Sequence, residues 1–314
     1  MRIKVHRHNQ SITIISAPVV TMISRPEFHS ENFRSWLDQL GIKDQTEVPG
    51  VSHGARNCEV AGRTCYLSFD KPRPGGIAAY VGNILSSGHG SVLEHSNITM
   101  AISGVSRSLT HEFVRHRAGW GYSQLSQRYV DAKRLAFVVP PRLTKGIFSS
   151  LSFGITAISM QDPPEFQVDA GNKTLVENWG RNATKEETEI GYLWLQQRFA
   201  NVAEYNATAD MITAELSGPD FDNMEKTEKR KIGFQTARNC LPNCTETMMI
   251  ATANVRALRH FISMRGSKHA DEEIRYLTHG ILSVCKGTIP ELFDDVIVDN
   301  SCSPQGVGLK HPKV

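Results

Sequence analysis

Alternation of polar and apolar side chains at the start of the chain predicts β-strands. Residues 1–8 read MRIKVHRH, and every second side chain is apolar over the first five positions. In an extended chain this places the apolar side chains on one face, as in a strand with one buried side. Apolar runs at residues 12–15 and 19–23 predict two more strands, and a fourth is expected at residues 95–103.

Helical periodicity dominates the later part of the chain. Apolar residues recur every three or four positions after residue 185 and again after residue 273, which places them on one face of a helix. The two stripes consist of Tyr192, Leu195, Phe199 and Val202, and of Ile274, Leu277 and Ile281. The acidic run at residues 271–273 suits a helix N-terminus. With a further helix expected at residues 30–40, the pattern predicts an α+β fold.

One predicted helix has a face that is apolar at its start and polar at its end. Val105, Leu109 and Phe113 are spaced by four residues and form an apolar stripe, which Glu112 and His116 continue as polar residues. A helix that begins near residue 104 would therefore project its polar end into a buried pocket.

Hydrogen-bond donors are concentrated just after this helix. Gly119 and Gly121 allow a sharp turn, and four polar side chains follow in quick succession. They are Ser123, Gln124, Ser126 and Arg128. Guanidinium groups suit phosphate, and amides and hydroxyls suit ring edges, so the segment predicts a site for an anionic heterocycle. His111 and His116 lie about 140° apart on a helix, so no zinc site is expected there.

A third polar window covers residues 237–269. Pro242 interrupts a helix, and a new helix is expected to begin at residue 245 or 246. On such a helix Asn254 and Arg265 share one face, three turns apart, and could both reach a pocket lined by the apolar residues between them. An ordinary core helix with polar margins is equally compatible with this spacing.

Composition narrows the class of protein. The chain has 314 residues, 35 Lys and Arg against 32 Asp and Glu, and a net charge of +3, which gives no global reason to expect a nucleic-acid or membrane partner. The six cysteines contain no C-x-x-C pair, and the longest apolar stretch is too short to span a membrane. We expect a soluble, cytoplasmic, globular protein with no metal site. The Ser-, Gly-, Pro- and Asn-rich residues at about 144–184 look like an insertion.

Three windows together resemble the flavin-dependent thymidylate synthase family. The central one is Arg115-His116-Arg117 followed by Ser126, within HEFVRHR and SQLSQRYV. GHGSVLEH precedes it, and Asn254-x-Arg256, with Arg265 further on, follows it. The resemblance covers roughly residues 61–134 and 185–289. One departure is that eight residues separate the triplet from the serine, where many members have seven.

The resemblance implies an enzyme that converts dUMP to dTMP. Methylenetetrahydrofolate would supply the carbon, FAD would carry the hydride and NADPH would reduce the flavin. It also implies a homotetramer with active sites at subunit junctions and a central antiparallel sheet flanked by helices. Residues 1–57 would be an N-terminal extension packed on the core, and 58–314 the catalytic domain with the insertion at about 144–184.

The resemblance also implies residue roles. Arg265 would be catalytic, because a fixed cation near N3 of the uracil favours the N3 anion and raises the electron density at C5. No cysteine nucleophile is needed if reduced flavin supplies the electrons. The dUMP-binding residues would be Glu112, Arg115, Gln124, Ser126, Arg128, Arg238 and Arg265. The FAD-binding residues would be His95, Asn97, Arg115, His116, Arg117, Asn254, Arg256 and His260.

Two alternatives stay open at the level of the sequence. Interleaved basic and aromatic residues could bind single-stranded nucleic acid, although the near-neutral charge argues against it. Those residues are Arg115, Arg117, Trp120, Tyr122 and Tyr129. The other alternative is a flavin-binding family member that the longer loop has made inactive.

Overall fold

The α+β class is confirmed. A computed structural model describes residues 1–131, 136–152 and 166–313. The strands within these ranges are β1 (Arg2–Arg7), β2 (Gln10–Ile15), β3 (Val19–Ser24), β4 (Asn97–Ser106), β5 (Trp120–Gln124), β6 (Phe137–Val138), β7 (Gln167–Val168), β8 (Glu246–Asn254), β9 (Val296–Asp299) and β10 (Gly306–Leu309). The α-helices are α1 (Ser30–Gln39), α2 (His53–Thr64), α3 (Gly76–Ser86), α4 (Arg107–Phe113), α5 (Thr144–Ser152), α6 (Lys173–Gly180), α7 (Lys185–Glu215), α8 (Lys226–Ala237), α9 (Val255–Arg265) and α10 (Glu272–Thr288).

The described chain divides into two compact units that interleave along the sequence. The first comprises Met1–Pro18, Ser103–His111 and the described part of Gln124–Met248. The second comprises Val19–Ile102, Glu112–Ser123 and the chain from Met249 onward. Residues 1–57 thus contribute to both units.

The first unit is built on the sheet β6-β2-β1-β7 and the helices behind it. β1 and β2 form an antiparallel hairpin in which Val5 lies opposite Ile12, and β2 pairs with β6 in parallel. The polar–apolar alternation at the N-terminus correctly predicted the buried face of β1, because Ile3 and Val5 are fully buried. They pack in one apolar cluster with side chains of α5 and α7.

Helix α5, at the start of the Ser-, Gly-, Pro- and Asn-rich segment, belongs to that core. Ile147 and Phe148 are fully buried in the same cluster. The backbones of α5 and α7 approach so closely that a Cβ on Gly146 would lie 1.9 Å from the carbonyl oxygen of Glu187. Only glycine fits such a contact. The part of the predicted insertion at residues 153–165 lies outside the described residues.

The second unit packs helices around the apolar stripe of α10. Ile274, Leu277 and Ile281 are buried as the periodicity predicted. Asp271 caps this helix, accepting a hydrogen bond from the backbone N–H of Glu273 at 2.9 Å. The antiparallel ribbon of β9 and β10 also belongs to this unit.

A second four-stranded sheet has the order β3-β4-β8-β5. The predicted helix at residue 245 or 246 is wrong, because β8 occupies residues 246–254 and helix α9 begins only at Val255. Burial alternates along β8: Met249 and Ala251 are buried, whereas Met248 and Ile250 are each 41% exposed. This two-residue period of burial is that of a β-strand and not of a helix.

β4 ends later than the sequence indicated, which delays helix α4. It runs to Ser106, and α4 begins at Arg107 instead of near residue 104. Gly104 has φ +70°, and a Cβ there would lie 2.7 Å from the carbonyl oxygen of Ala17. No helix among the described residues is long and apolar enough to cross a membrane.

Candidate functional site

Arg265 is held by two side chains that reach it from the end of α4. It is the last residue of α9, and its Nη1 donates to the Glu112 Oε2 atom at 2.7 Å. Its Nε donates to Nε2 of His116 at 3.0 Å. Glu112 lies in the last turn of α4 and His116 just beyond it, so the polar continuation of the apolar stripe does converge on one partner.

His116 is neutral in this arrangement. Arginine Nε can only donate, so His116 Nε2 must accept and the ring proton lies on Nδ1. Burial lowers the pKa of His116 to about 4, and the charges of Arg265, His260 and Arg115 lower it further in the same direction. The ring of His116 also packs edge-on against Phe261, with centroids 5.2 Å apart. A neutral acceptor therefore fixes the orientation of the Arg265 guanidinium at neutral pH.

Aromatic packing fixes the segment that follows His116. The hydroxyl of Tyr122 donates to the carbonyl oxygens of Phe113 and His116 at 3.1 and 2.9 Å, and burial raises its pKa. Trp120 stacks on Tyr122 and packs against Phe113 and Phe261. Of the aromatic residues in the nucleic-acid alternative, Trp120 and Tyr122 are therefore engaged in packing, whereas Tyr129 is exposed.

The loop after the arginine–histidine–arginine triplet is tied to the start of α9. Asn254 precedes that helix and caps it, since its Oδ1 accepts from the backbone N–H of Ala257 at 2.8 Å. Its backbone N–H donates to the carbonyl oxygen of Gly119 at 3.1 Å. Gly119 has φ +74°, and a Cβ there would lie 2.8 Å from both Asn254 and Ala257. Asn254 thus stands directly before α9, whereas Arg265 is the last residue of that helix.

The other residues predicted to bind FAD lie near the start of α9. Arg256 pairs with Glu94 at 2.6 Å, with both side chains about half exposed. The backbone N–H of Val255 donates to the carbonyl oxygen of Ser96 at 2.9 Å, which brings the segment of His95 and Asn97 to this helix end. One turn along α9 from Arg256, the ring of His260 lies 5.9 Å from that of His116. All eight predicted FAD residues belong to the second unit; they are His95, Asn97, Arg115, His116, Arg117, Asn254, Arg256 and His260.

The residues predicted to bind dUMP are distributed over both units. Glu112, Arg115 and Arg265 belong to the second unit, and Gln124, Ser126, Arg128 and Arg238 to the first. In the first unit, the side-chain amide of Gln124 donates to Thr110 Oγ1 at 2.9 Å and to Thr247 Oγ1 at 3.2 Å. Ser126 Oγ accepts from the backbone N–H of Arg128 at 3.3 Å.

Arg107 is a candidate that sequence reasoning missed. Burial lowers its pKa, and the nearby charge of Arg238 lowers it further. Its Nη1 donates to the carbonyl oxygen of Leu125 at 3.4 Å, and this acceptor carries no charge. Two neighbouring guanidinium groups form a ready site for an anion. The sequence feature that could have identified Arg107 is its position at the N-terminus of a helix, where the helix dipole disfavours positive charge.

Two cysteines of the described chain, Cys58 and Cys285, are deeply buried. No group of three His, Cys, Asp or Glu side chains there could hold a metal ion. Burial raises the pKa of Cys58 to about 12 and raises that of Cys285 as well, so both thiols stay protonated at neutral pH.

Comparisons with known proteins agree on one family. The family model described as thymidylate synthase complementing protein matches residues 50–291. A flavin-dependent thymidylate synthase of Mycobacterium sp. (strain KMS) is 35% identical over 283 residues, covering 89% of this chain and 91% of that one. Its counterpart in Mycobacterium avium (strain 104) is 38% identical over 261 residues, covering 82% and 86%. A crystal structure of the UMP/dUMP methylase PolB from Streptomyces cacaoi, 18% identical, shares the fold with a TM-score of 0.57 over 90% of this chain and 95% of that one.

Proposed function

The chain belongs to the flavin-dependent thymidylate synthase family, and on that premise we propose that it converts dUMP to dTMP. Methylenetetrahydrofolate would donate the carbon, FAD would carry the hydride and NADPH would reduce the flavin. The observation that carries the proposal is the oriented guanidinium of Arg265, held by Glu112 and His116 at hydrogen-bond distance.

Arg265 suits the activation of a uracil ring. Its described contacts use Nε and Nη1, which leaves Nη2 for a ligand. A cation fixed beside N3 stabilises the N3 anion, and the negative charge then raises the electron density at C5, where the new carbon must be attached. Because Glu112 and His116 already orient the guanidinium, substrate binding does not have to supply the free energy needed to order it.

Arg107 and Arg238 suit the phosphate of dUMP. A phosphate dianion would relieve the repulsion between the two guanidinium groups and form charge-assisted hydrogen bonds with both. Ser126 and Gln124, whose amide is fixed by two threonines, offer further polar groups in the same unit. We assign the phosphate of dUMP to this group, with Arg107 as an addition to the residues that the family resemblance implied.

The residues around the start of α9 fit FAD. Arg115 and Arg117 have exposed side chains, and among the described residues neither forms a salt bridge. With His95, Asn97 and Arg256 they offer cations and hydrogen-bond donors of the kind that the pyrophosphate of a dinucleotide needs. Bound flavin supplies the hydride chemistry, which this chain's own side chains cannot provide. Burial raises the pKa of Cys58 and of Cys285, so neither of these two thiols is suited to act as a nucleophile.

We also propose a homotetramer in the cytoplasm. Large apolar side chains of β3 are exposed, namely Val19, Met22 and Ile23, and exposed apolar groups at this density are typical of interfaces. Sedimentation velocity of the purified protein should give the mass of four chains.

Activity measured on the wild-type protein tests the proposed function. The purified protein should show the absorption of oxidised flavin, oxidise NADPH only when dUMP is present, and form dTMP only when methylenetetrahydrofolate is added as well. Flavin without dTMP formation would indicate the inactive family member. A colourless protein that cannot be reconstituted with FAD would contradict both.

A further inference from the structure

Two buried threonines of the first unit hold the side chain of Gln124. Gln124 is the last residue of β5, and its Nε2 donates to Thr110 Oγ1 on α4 at 2.9 Å and to Thr247 Oγ1 on β8 at 3.2 Å. The exposed fractions of Thr110 and Thr247 are only 2% and 1%. Both protons of the amide nitrogen therefore have an acceptor inside the protein.

The hydroxyl proton of Thr110 determines which end of the amide faces inward. Thr110 Oγ1 donates to the carbonyl oxygen of Arg107, at the start of α4, at 3.1 Å. A hydroxyl has a single proton, so Thr110 can only accept from Gln124. If the amide were turned over, Oε1 of Gln124 would face a lone pair of Thr110, and Nε2 would lose both acceptors. Thr110 thus selects one orientation of the Gln124 amide.

The other end of the amide is an acceptor without a donor. Gln124 Oε1 receives no hydrogen bond from the described residues, and it is not fully buried. Arg107 belongs to the same local network, because its carbonyl oxygen accepts from Thr110 and its Nη1 donates to the carbonyl oxygen of Leu125. The open acceptor therefore belongs to the network of an arginine that we assign to the phosphate of dUMP.

We propose that Thr110 and Thr247 are positioning residues, which hold Gln124 so that its Oε1 and not its Nε2 meets the substrate; this inference rests on the proposed function. Guanidinium groups bind phosphate and carbonyl oxygens, but they cannot accept a hydrogen bond from a substrate hydroxyl. An amide oxygen in a fixed orientation supplies that missing acceptor.

The acceptor has one partner left on dUMP. With its phosphate doubly ionised, dUMP carries two hydrogen-bond donors, N3–H of the uracil and the 3′-hydroxyl. The proposed function places N3 as an anion beside Arg265, so the 3′-hydroxyl is the donor that remains for Gln124. A site built to bind a hydroxyl discriminates against the analogue that lacks it.

Nucleotide binding tests this role without any turnover. Calorimetry on the FAD-loaded protein compares dUMP with 2′,3′-dideoxyuridine 5′-monophosphate, which lacks the 3′-hydroxyl, and the wild type should bind dUMP about tenfold more tightly. Thr110→Val keeps the shape of the side chain and removes the hydroxyl. It should weaken dUMP binding about tenfold, leave binding of the dideoxy nucleotide within about twofold, and so abolish the discrimination. Thr110→Ser should restore it.

Two further variants separate positioning from stability. Thr247→Val acts on the same amide from β8 and gives a second measurement if Thr110→Val does not fold. The matched control is Thr278→Val on α10 in the second unit, since Thr278 is also buried and also donates to a carbonyl oxygen of its own helix, that of Ile274 at 2.8 Å. It should bind both nucleotides like the wild type. In a Gln124→Leu background, Thr110→Val should change dUMP binding no further.

Steady-state kinetics adds a readout that loss of folded protein does not produce. Thr110→Val should raise the KM for dUMP about tenfold and leave kcat within about twofold. The inference is overturned if the wild type does not distinguish the two nucleotides, if Thr110→Val weakens both equally, or if it matches Thr278→Val. Discrimination that Thr110→Val abolishes, without dTMP formation in the wild type, would refute the proposed function and leave the positioning role standing. Formation of dTMP with discrimination unchanged in Thr110→Val would overturn the positioning role alone.

Discussion

Replacing His116 by glutamine tests the neutral state that orients Arg265. Glutamine can still offer an oxygen to Arg265 Nε but cannot take up a proton. In the wild type, burial lowers the pKa of His116 from 6.5 to about 4. The folded state therefore takes up this proton later than the unfolded chain as the pH falls, and the protein loses stability between about pH 6.5 and pH 4.

The size of the effect follows from the pKa shift. A shift from 6.5 to about 4 corresponds to ~2 kcal/mol at pH 5 if nothing screens it. The side chain is only half-buried, and solvent screening reduces the expected contribution to about 1 kcal/mol. Acidification from pH 7.5 to pH 5 should thus destabilise the wild type by about 1 kcal/mol more than His116→Gln.

Urea unfolding at the two pH values measures this difference. Other histidines contribute equally to both proteins, so the comparison between wild type and variant isolates His116. A matched control is His111→Gln, a histidine of α4 for which no contact with Arg265 is described. The reasoning is refuted if His116→Gln loses as much stability on acidification as the wild type.

Two further substitutions test the loop after His116 and the proposed phosphate site. Gly119→Ala should lower the free energy of unfolding by about 1–2 kcal/mol and weaken FAD retention, because φ is positive and the new Cβ would clash with Asn254. Denaturant midpoints measure the stability, and flavin absorption measures the bound FAD. Arg107→Gln should raise the KM for dUMP about tenfold or more with little change in kcat, because it removes one of two cations assigned to the phosphate. An unchanged KM would remove Arg107 from the phosphate site.

Periodicity predicted elements that bury one face. Strands β1 and β2 and the long helices α7 and α10 bury side chains that their spacing indicated, whereas Val19, Met22 and Ile23 of β3 are exposed. β8 was not predicted because its run of threonine, methionine and alanine fits the 3.6-residue period of a helix as well as the two-residue period of a strand. Pairing with neighbouring strands selects the strand. Helix α5 was not predicted, because small residues that loosen a loop also permit the close approach of α5 and α7.

The candidate site was predictable in type but not in its connections. The sequence indicated that Glu112 and His116 continue the apolar stripe of α4 as polar residues, and the structure shows that both contact Arg265. Arg107 was missed because its closeness to Arg238 depends on tertiary structure that brings together residues 131 positions apart in the sequence.

Thymidylate formation by Arg265→Gln tests the central claim most directly. The variant keeps a polar side chain but loses the fixed cation, so kcat should fall by about 10²-fold or more while bound flavin is retained. Met264→Gln changes an exposed neighbour on α9 and should turn over like the wild type. Near-normal turnover by Arg265→Gln, with flavin bound, would contradict the assignment of Arg265 to activation of the uracil.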